Sequence, residues 1–199
     1  MSRLRTTLAI TGILATTLAL AACSSAQPMG GTGNGDSASS ASPAVKGTFN
    51  TQDVMFTQLM IPHHEQAVAM AGMILKKEGV DSRVTELAKN IKSAQGPEIT
   101  TMKSWLQKWG ASDSGMSGMD HGDSGMMSDS DMTTLDSATG TAAARLFLTG
   151  MTMHHKGAIA MAETEVTGGK NADAIDLAKK IIAAQKGEIQ VMKDLLASM

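Results

Sequence analysis

Four of the five histidines in this chain stand in two adjacent pairs, His63-His64 and His154-His155, each at the same place in a repeated segment. When Phe56 to Ala71 is set above Phe147 to Ala162, Phe, Met, His-His, Ala, Ala and Met-Ala coincide without a gap, so that Met60 matches Met151 and Met70 matches Met161. Imidazole and thioether are both metal donors. Together, and without cysteine, they suit Cu(I), or Ag(I) with the same preference, better than Zn(II), Mg(II) or Ca(II), because the thioether is soft, neutral and needs no deprotonation. A methionine stripe by itself is ordinary filling of a helical core. Paired histidines are different, since each buried ring carries a donor and an acceptor that both need partners.

The elements around these residues have a helical period. At 100° per residue, Phe56, Met60, His63, His64, Ala67, Met70, Ala71 and Ile74 fall within about 120°, the buried stripe of an amphipathic helix. Pro62 lies inside this pattern and predicts a kink or a restart just before His63. After Gly79, Asp81 or Ser82 caps a second helix striped by Val84, Leu87, Ile91, Ala94, Glu98, Met102, Trp105 and Trp109, and Gly110 ends it. The second repeat runs from Phe147 to about Val166, turns at Gly168-Gly169, and closes with a helix striped by Leu177, Ile181, Ala184, Glu188, Met192 and Leu195. Neither helical hairpin can bury its stripe alone, so an all-α four-helix bundle, two hairpins packed about a pseudo-twofold axis, is expected.

Glu98 and Glu188 occupy matching places in their stripes, after Gln95 and Gln185 and four residues before Met102 and Met192. A carboxylate on an apolar face needs a partner, and a ligated histidine commonly gives its other ring N–H to one. Both glutamates are therefore expected as direct ligands or as groups that orient the histidines, with Met102, Met192 and Met153 in the same surrounding shell. No Glu-x-x-His occurs anywhere, which disfavours a di-iron carboxylate centre.

Residues 111–131 are rich in Gly, Ser and Asp and cannot fold alone, so Met116, Met119, His121, Met126 and Met127 are not core residues. They read as an arm that captures soft metal and passes it to the bundle. Ser128 to Asp131 has the pattern of a capping box and opens a short helical turn through Met132 and Leu135.

The start of the chain resembles a bacterial lipoprotein signal. Arg3 and Arg5 precede an apolar run from Leu8 to Leu20 that is too short for a stable membrane span, and Leu20-Ala21-Ala22-Cys23 closes it. This implies cleavage after residue 22 and a lipid on Cys23, the only cysteine, so no disulfide framework or thiolate site forms within one chain. Removal of residues 1–22 takes two arginines and no acids, and the formal charge moves from 17 − 19 = −2 to 15 − 19 = −4. Nucleic acid is excluded as a partner by this mildly acidic balance and by the scarcity of aromatic residues. The organisation expected is a signal peptide at 1–22, a lipidated, flexible and disordered tether at 23–48, and a bundle at 49–199. The bundle divides into repeat one at 49–110, the linker at 111–131 and repeat two at 132–199.

Asp53-x-x-Phe56-x-x-x-Met60-Ile61-Pro62-His63-His64 with Ala67 and Met70-Ala71, a Met/Gly linker, and then Phe147-Leu148-x-x-Met151-x-x-His154-His155-x-Gly157-Ala158 with Met161-Ala162, resembles the bacterial domain of unknown function 305 family. The resemblance covers about 49 to 199. It implies a ferritin-like four-helix fold in exported proteins, some of them linked to copper binding and resistance, and no established reaction. The chain departs from the pattern where Ala144 stands in the place matching Asp53, and where Gly150 and Thr152 replace larger or more apolar residues.

The reading that follows is a non-enzymatic, lipid-anchored protein on the extracytoplasmic face that sequesters or hands over Cu(I), with silver as a second cargo. His63, His64, His154 and His155 are its principal ligands, and Met60, Met70, Met151 and Met161 their soft partners. Its partners are the membrane through the lipid, the metal ion and other copper-handling envelope proteins, and a homodimer is compatible with the sequence. Two other classes stay open: an envelope interaction module whose histidines are structural or sense pH, and a redox metalloenzyme, which needs an open coordination position.

Overall fold

The computed structural model describes residues 48–112 and 125–199. The expected signal, Cys23 and nearly all of the tether, and Met116, Met119 and His121 of the linker, lie outside the described residues. Among the described residues five helices follow in order, α1 (Thr51–Ile74), α2 (Ser82–Trp109), α3 (Asp129–Ser137), α4 (Gly140–Gly168) and α5 (Ala172–Ala197). There is no strand among the described residues, and none of the helices is long and apolar enough to cross a membrane.

The ends of the helices follow local chemistry. Asn50 caps α1 by accepting from the Asp53 amide at 3.1 Å while Asp53 accepts from the Asn50 amide at 2.5 Å, a reciprocal capping box. Asp81 caps α2, and Gly110 ends it at φ 66°, a conformation that favours glycine. Ser128 caps α3 through the Asp131 amide, so the short turn expected there is a full helix of nine residues. Asn171 caps α5 through the Ala174 amide.

Three expectations change. Helix α1 is continuous through Pro62, so the chain does not restart before His63; proline removes one backbone donor, and the helix on either side is long enough to carry the loss. Helix α4 begins at Gly140, seven residues before Phe147, because Ala142-Ala143-Ala144-Arg145 are strong helix formers that extend it backwards. Ala94 and Ala184 are exposed, whereas Gln95 and Gln185 beside them are buried. Alanine gives up little apolar area at the surface, so packing rather than side-chain polarity decides which of the two neighbours turns inward.

Helix α1 packs along α2, α4 along α5, and α1 meets α4, while α2 and α5 scarcely touch. The buried side chains form two clusters. One contains Met70, Ile74, Phe147, Leu148, Met151 and Met192, the other Phe56, Met60, Met102, Trp105, Ala158 and Ala162. Along α1 the second cluster comes before the first, and along α4 the order is reversed, so the two helices run antiparallel. The four histidines fall between the clusters on both helices.

Candidate metal centre

All four paired histidines are buried, with exposures of 0 to 1%. Helix α1 carries His63 and His64 inward on the stripe of Met60 and Ala67, and α4 carries His154 and His155 on that of Met151 and Ala158. The His63 and His154 rings lie with centroids 3.7 Å apart and planes inclined at 38°. Each of the other two meets a glutamate of the partner helix. His64 Nε2 is 2.9 Å from Glu98 Oε2, and His155 Nε2 is 2.6 Å from Glu188 Oε2.

These contacts set which ring nitrogen faces the carboxylate. An ionised carboxylate only accepts, so Nε2 of His64 and of His155 carries the hydrogen in each pair, and in a neutral ring the lone pair is then left on Nδ1. Both Nδ1 atoms are buried and have no hydrogen-bond partner. Neither ring nitrogen of His154 has a hydrogen bond of ordinary geometry either, its one polar contact being the His63 backbone, too poorly aligned to satisfy the ring. Burial first, then the proximity of His63, His155 and His64, pushes the His154 pKa down to about 2, so this ring is neutral at any ordinary pH. Buried imidazole lone pairs with nothing to accept are costly in a metal-free core, and they are what a metal ion binds. Glu98 and Glu188 keep side-chain exposures of 24% and 22%, so each links a buried ring to the surface.

The methionines flank this layer. Met60 and Met102 lie in one cluster with the half-buried Met161 packed against it, and Met70, Met151 and Met192 lie in the other. Thr152, one of the departures from the family pattern, directs its hydroxyl to the Leu148 carbonyl and to Met192 Sδ at 3.6 Å. Among the described residues no three His, Asp or Glu side chains converge as a ready cation cage. The donors that come closest are the imidazoles of His63 and His154, with thioethers in the clusters on either side, donor types that suit a soft monovalent ion.

The model of the DUF305 family, a domain of unknown function, matches residues 53–196. The chain belongs to the DUF305 family. Solved DUF305 structures share its fold. A fragment from Deinococcus radiodurans is 28% identical with a TM-score of 0.70, over 77% of this chain and all of that one. A family member from Streptomyces coelicolor, described as a secreted protein by inference, is 32% identical with a TM-score of 0.69, over 74% of this chain and 91% of that one. CopM in its Cu(I)-bound form is 31% identical with a TM-score of 0.62, over 73% of this chain and 96% of that one. CopM has also been solved bound to Cu(II) and to silver. No curated protein matches the chain.

Within this DUF305 domain Asp53 does more than cap α1. Its Oδ1 accepts from the amides of Lys170 and Asn171 at 2.9 and 2.8 Å, tying the start of α1 to the turn between α4 and α5. Beside it lies Glu165, fully buried, its oxygens without a hydrogen bond of ordinary geometry. Burial, and next the Asp53 carboxylate, push the Glu165 pKa up to about 8. Burial alone would raise Asp53 as well, but the amides of Asn171, Asn50 and Lys170 and the Glu165 side chain hold it below the usual carboxylate value. Ala144, in the matching place of the second half, is buried in the apolar core, and there the Gly140 amide donates to the Glu78 carbonyl instead.

Glu165 is not among the residues that the sequence marks out. One signal was present, because Glu165 continues the buried stripe of Ala158 and Ala162 by a further turn. Gln95 and Gln185, noted only as landmarks, are buried with their Oε1 atoms unpartnered. Of the linker donors described, Met126 and Met127 are half-buried, and Met127 is held at both backbone groups by Gln66. Met153 does not join the imidazole layer; it is 53% exposed and lines a groove with Met126 and Met127.

Proposed function

We propose that this DUF305 protein is a lipid-anchored, extracytoplasmic and non-enzymatic binder of Cu(I), with Ag(I) as a second cargo, which it sequesters or hands on. The observation that carries the reading is the set of buried ring nitrogens without well-formed hydrogen bonds on His64, His154 and His155, in a layer shared with His63. Two hairpins, α1 with α2 and α4 with α5, form one ferritin-like four-helix bundle that holds this layer at its middle, with α3 lying outside it. His63, His64, His154 and His155 are the principal ligands. Met60, Met70, Met151 and Met161 are soft donors on either side, and Met102 and Met192 extend that supply.

Glu98 and Glu188 hold His64 and His155 in the tautomer that leaves Nδ1 free to bind the metal. All the ligands are neutral, so a monovalent ion is taken up without proton release from a thiol. The metals bound by CopM support this cargo. The lipid on Cys23 keeps the domain at the membrane, and Met116, Met119, His121, Met126 and Met127 of the linker bring metal to the bundle.

The experiment is competition of the purified domain against a Cu(I) chelator. The parent retains Cu(I), and the variant with all four paired histidines changed to alanine loses it, circular dichroism reporting that the variant stays helical. If that variant unfolds, His64→Leu with His155→Leu is used in its place. No retention by the parent, or retention unchanged in a folded variant, overturns the reading. The pH-sensing alternative draws no support from His154, which stays neutral far below physiological pH.

A further inference from the structure

A second group of thioethers lies apart from the histidines. Residues 125–127 run along α4 and enclose with it a cavity of about 350 Å³, lined by Met126, Met127 and Met153 together with Asp131, Thr134 and Gly150. None of the four paired histidines lines it. Met153 and His154 are neighbours in sequence, yet Met153 is 53% exposed and His154 fully buried, so α4 presents one to the groove and the other to the core. Met127 also packs against the apolar core, but Met126 belongs to neither apolar cluster and Met153 is more than half exposed, so core packing does not explain why all three line one cavity.

The segment is fastened to α4 and α1. Gln66 donates to the Met127 carbonyl at 2.9 Å and accepts from the Met127 amide at 2.8 Å. Gly125, at φ 73°, packs so closely on the Met153 carbonyl that a side chain there would collide with it. Gly150 leaves bare helix backbone where the Met127 thioether rests, since a Cβ at that position would stand 2.7 Å from Met127 Sδ. The unusual glycine at 150 thus has a structural use: it seats a sulfur. Donors held in place by other contacts lose less freedom on binding than donors on a free chain.

We propose that this groove is a second, outer site for a soft monovalent cation, Cu(I) or Ag(I), held by the thioethers of Met126, Met127 and Met153 with the Asp131 carboxylate balancing its charge. Thioethers select for soft ions, and one nearby carboxylate offsets a single positive charge without making a hard-cation cage. The site deepens the role given above to the linker. It shares the cargo of that reading but none of the paired histidines, so the two can fail separately. Met153 and His154 on one helix place the outer and inner donors side by side in sequence, which suits transfer from one to the other.

The test is titration of the full chain, labelled with 13C at its methionine methyl groups, with Ag(I), which is diamagnetic. The Met126, Met127 and Met153 methyl signals should shift together over one equivalent, whether or not histidine ring signals move. The Met126→Leu, Met127→Leu, Met153→Leu variant preserves side-chain volume and should bind one equivalent fewer. Three results overturn the proposal: the three methyls stay still; Met126 and Met127 titrate with Met116 and Met119 while Met153 does not; or the leucine variant, still helical, keeps every equivalent. Unmoved histidine signals together with shifts of the three methyls would sink the inner-site reading and leave this one standing.

Discussion

The rings of His63 and His154 lie 3.7 Å apart, centroid to centroid, in the buried layer between the two apolar clusters. They come from helices that run antiparallel, so each half of the chain supplies one ring to a contact that neither half makes alone. On either side of it a further histidine is anchored to a glutamate, His64 to Glu98 and His155 to Glu188.

His154 has no well-formed hydrogen bond at either ring nitrogen, so its burial weakens the metal-free fold. His154→Leu should raise metal-free stability by about 1 kcal/mol, the scale of relieving an unsatisfied buried polar group. The same variant should reduce the stabilisation gained on adding Cu(I). Urea melts with and without metal read both effects, and a metal-free midpoint that falls would show that His154 contributes to packing instead.

Glu98→Gln and Glu188→Gln each remove the charge that fixes a histidine tautomer. Each should weaken Cu(I) binding roughly tenfold to a hundredfold while leaving the helices intact, as loss of a group orienting a ligand does elsewhere. Chelator competition measures it. A loss at only one of the two glutamates would show that the histidine held by the other is not used.

Glu165 produces a pH dependence of a definite sign. Its pKa is raised from 4.5 to about 8 in the folded chain, so the native state keeps a proton that the unfolded chain releases above pH 4.5. Stability from this group is therefore full below about pH 4.5, declines as pH rises, and levels off above about 8. Asp53 acts at the other end, since its lowered pKa gives stability that is present above 3.8 and lost as pH falls through its depressed value. Glu165→Gln should flatten the decline between pH 5 and 8 and melt above the parent at pH 8. Melting temperatures at pH 5 and pH 8 check it, and parallel profiles for the two proteins would exclude the buried carboxyl pair.

Gly125→Ala puts a methyl group against the Met153 carbonyl at a backbone conformation that favours glycine. The strain, on the order of 1 to 3 kcal/mol, should release the segment from α4. Hydrogen exchange at the Met127 amide, which Gln66 accepts, should speed up sharply in the variant while the amides at the centre of α4 keep their protection.

The helices were largely legible in the chain because their causes are local. A period of 3.6 in the apolar residues, caps at Asp81 and Ser128, and Gly110 at a helix end each act within a few residues. The inward turn of the four histidines and the significance of Glu98 and Glu188 followed from the same period, since a polar group on an apolar stripe requires a partner. The inversion of Ala94 with Gln95 and of Ala184 with Gln185 did not follow, because adjacent residues differ by only 100° and the neighbouring helix decides which is covered.

What the sequence determined by itself was therefore the list of donors and the face of the helix on which each lies. Tertiary structure decided their company. It set His63 on His154, divided the methionines between two clusters, turned Met153 outward to meet Met126 and Met127, and brought Glu165 to Asp53 across more than a hundred residues. The physical reason is that periodicity and capping act along one helix, whereas antiparallel packing, which pairs residues distant in the chain, depends on how whole faces fit together.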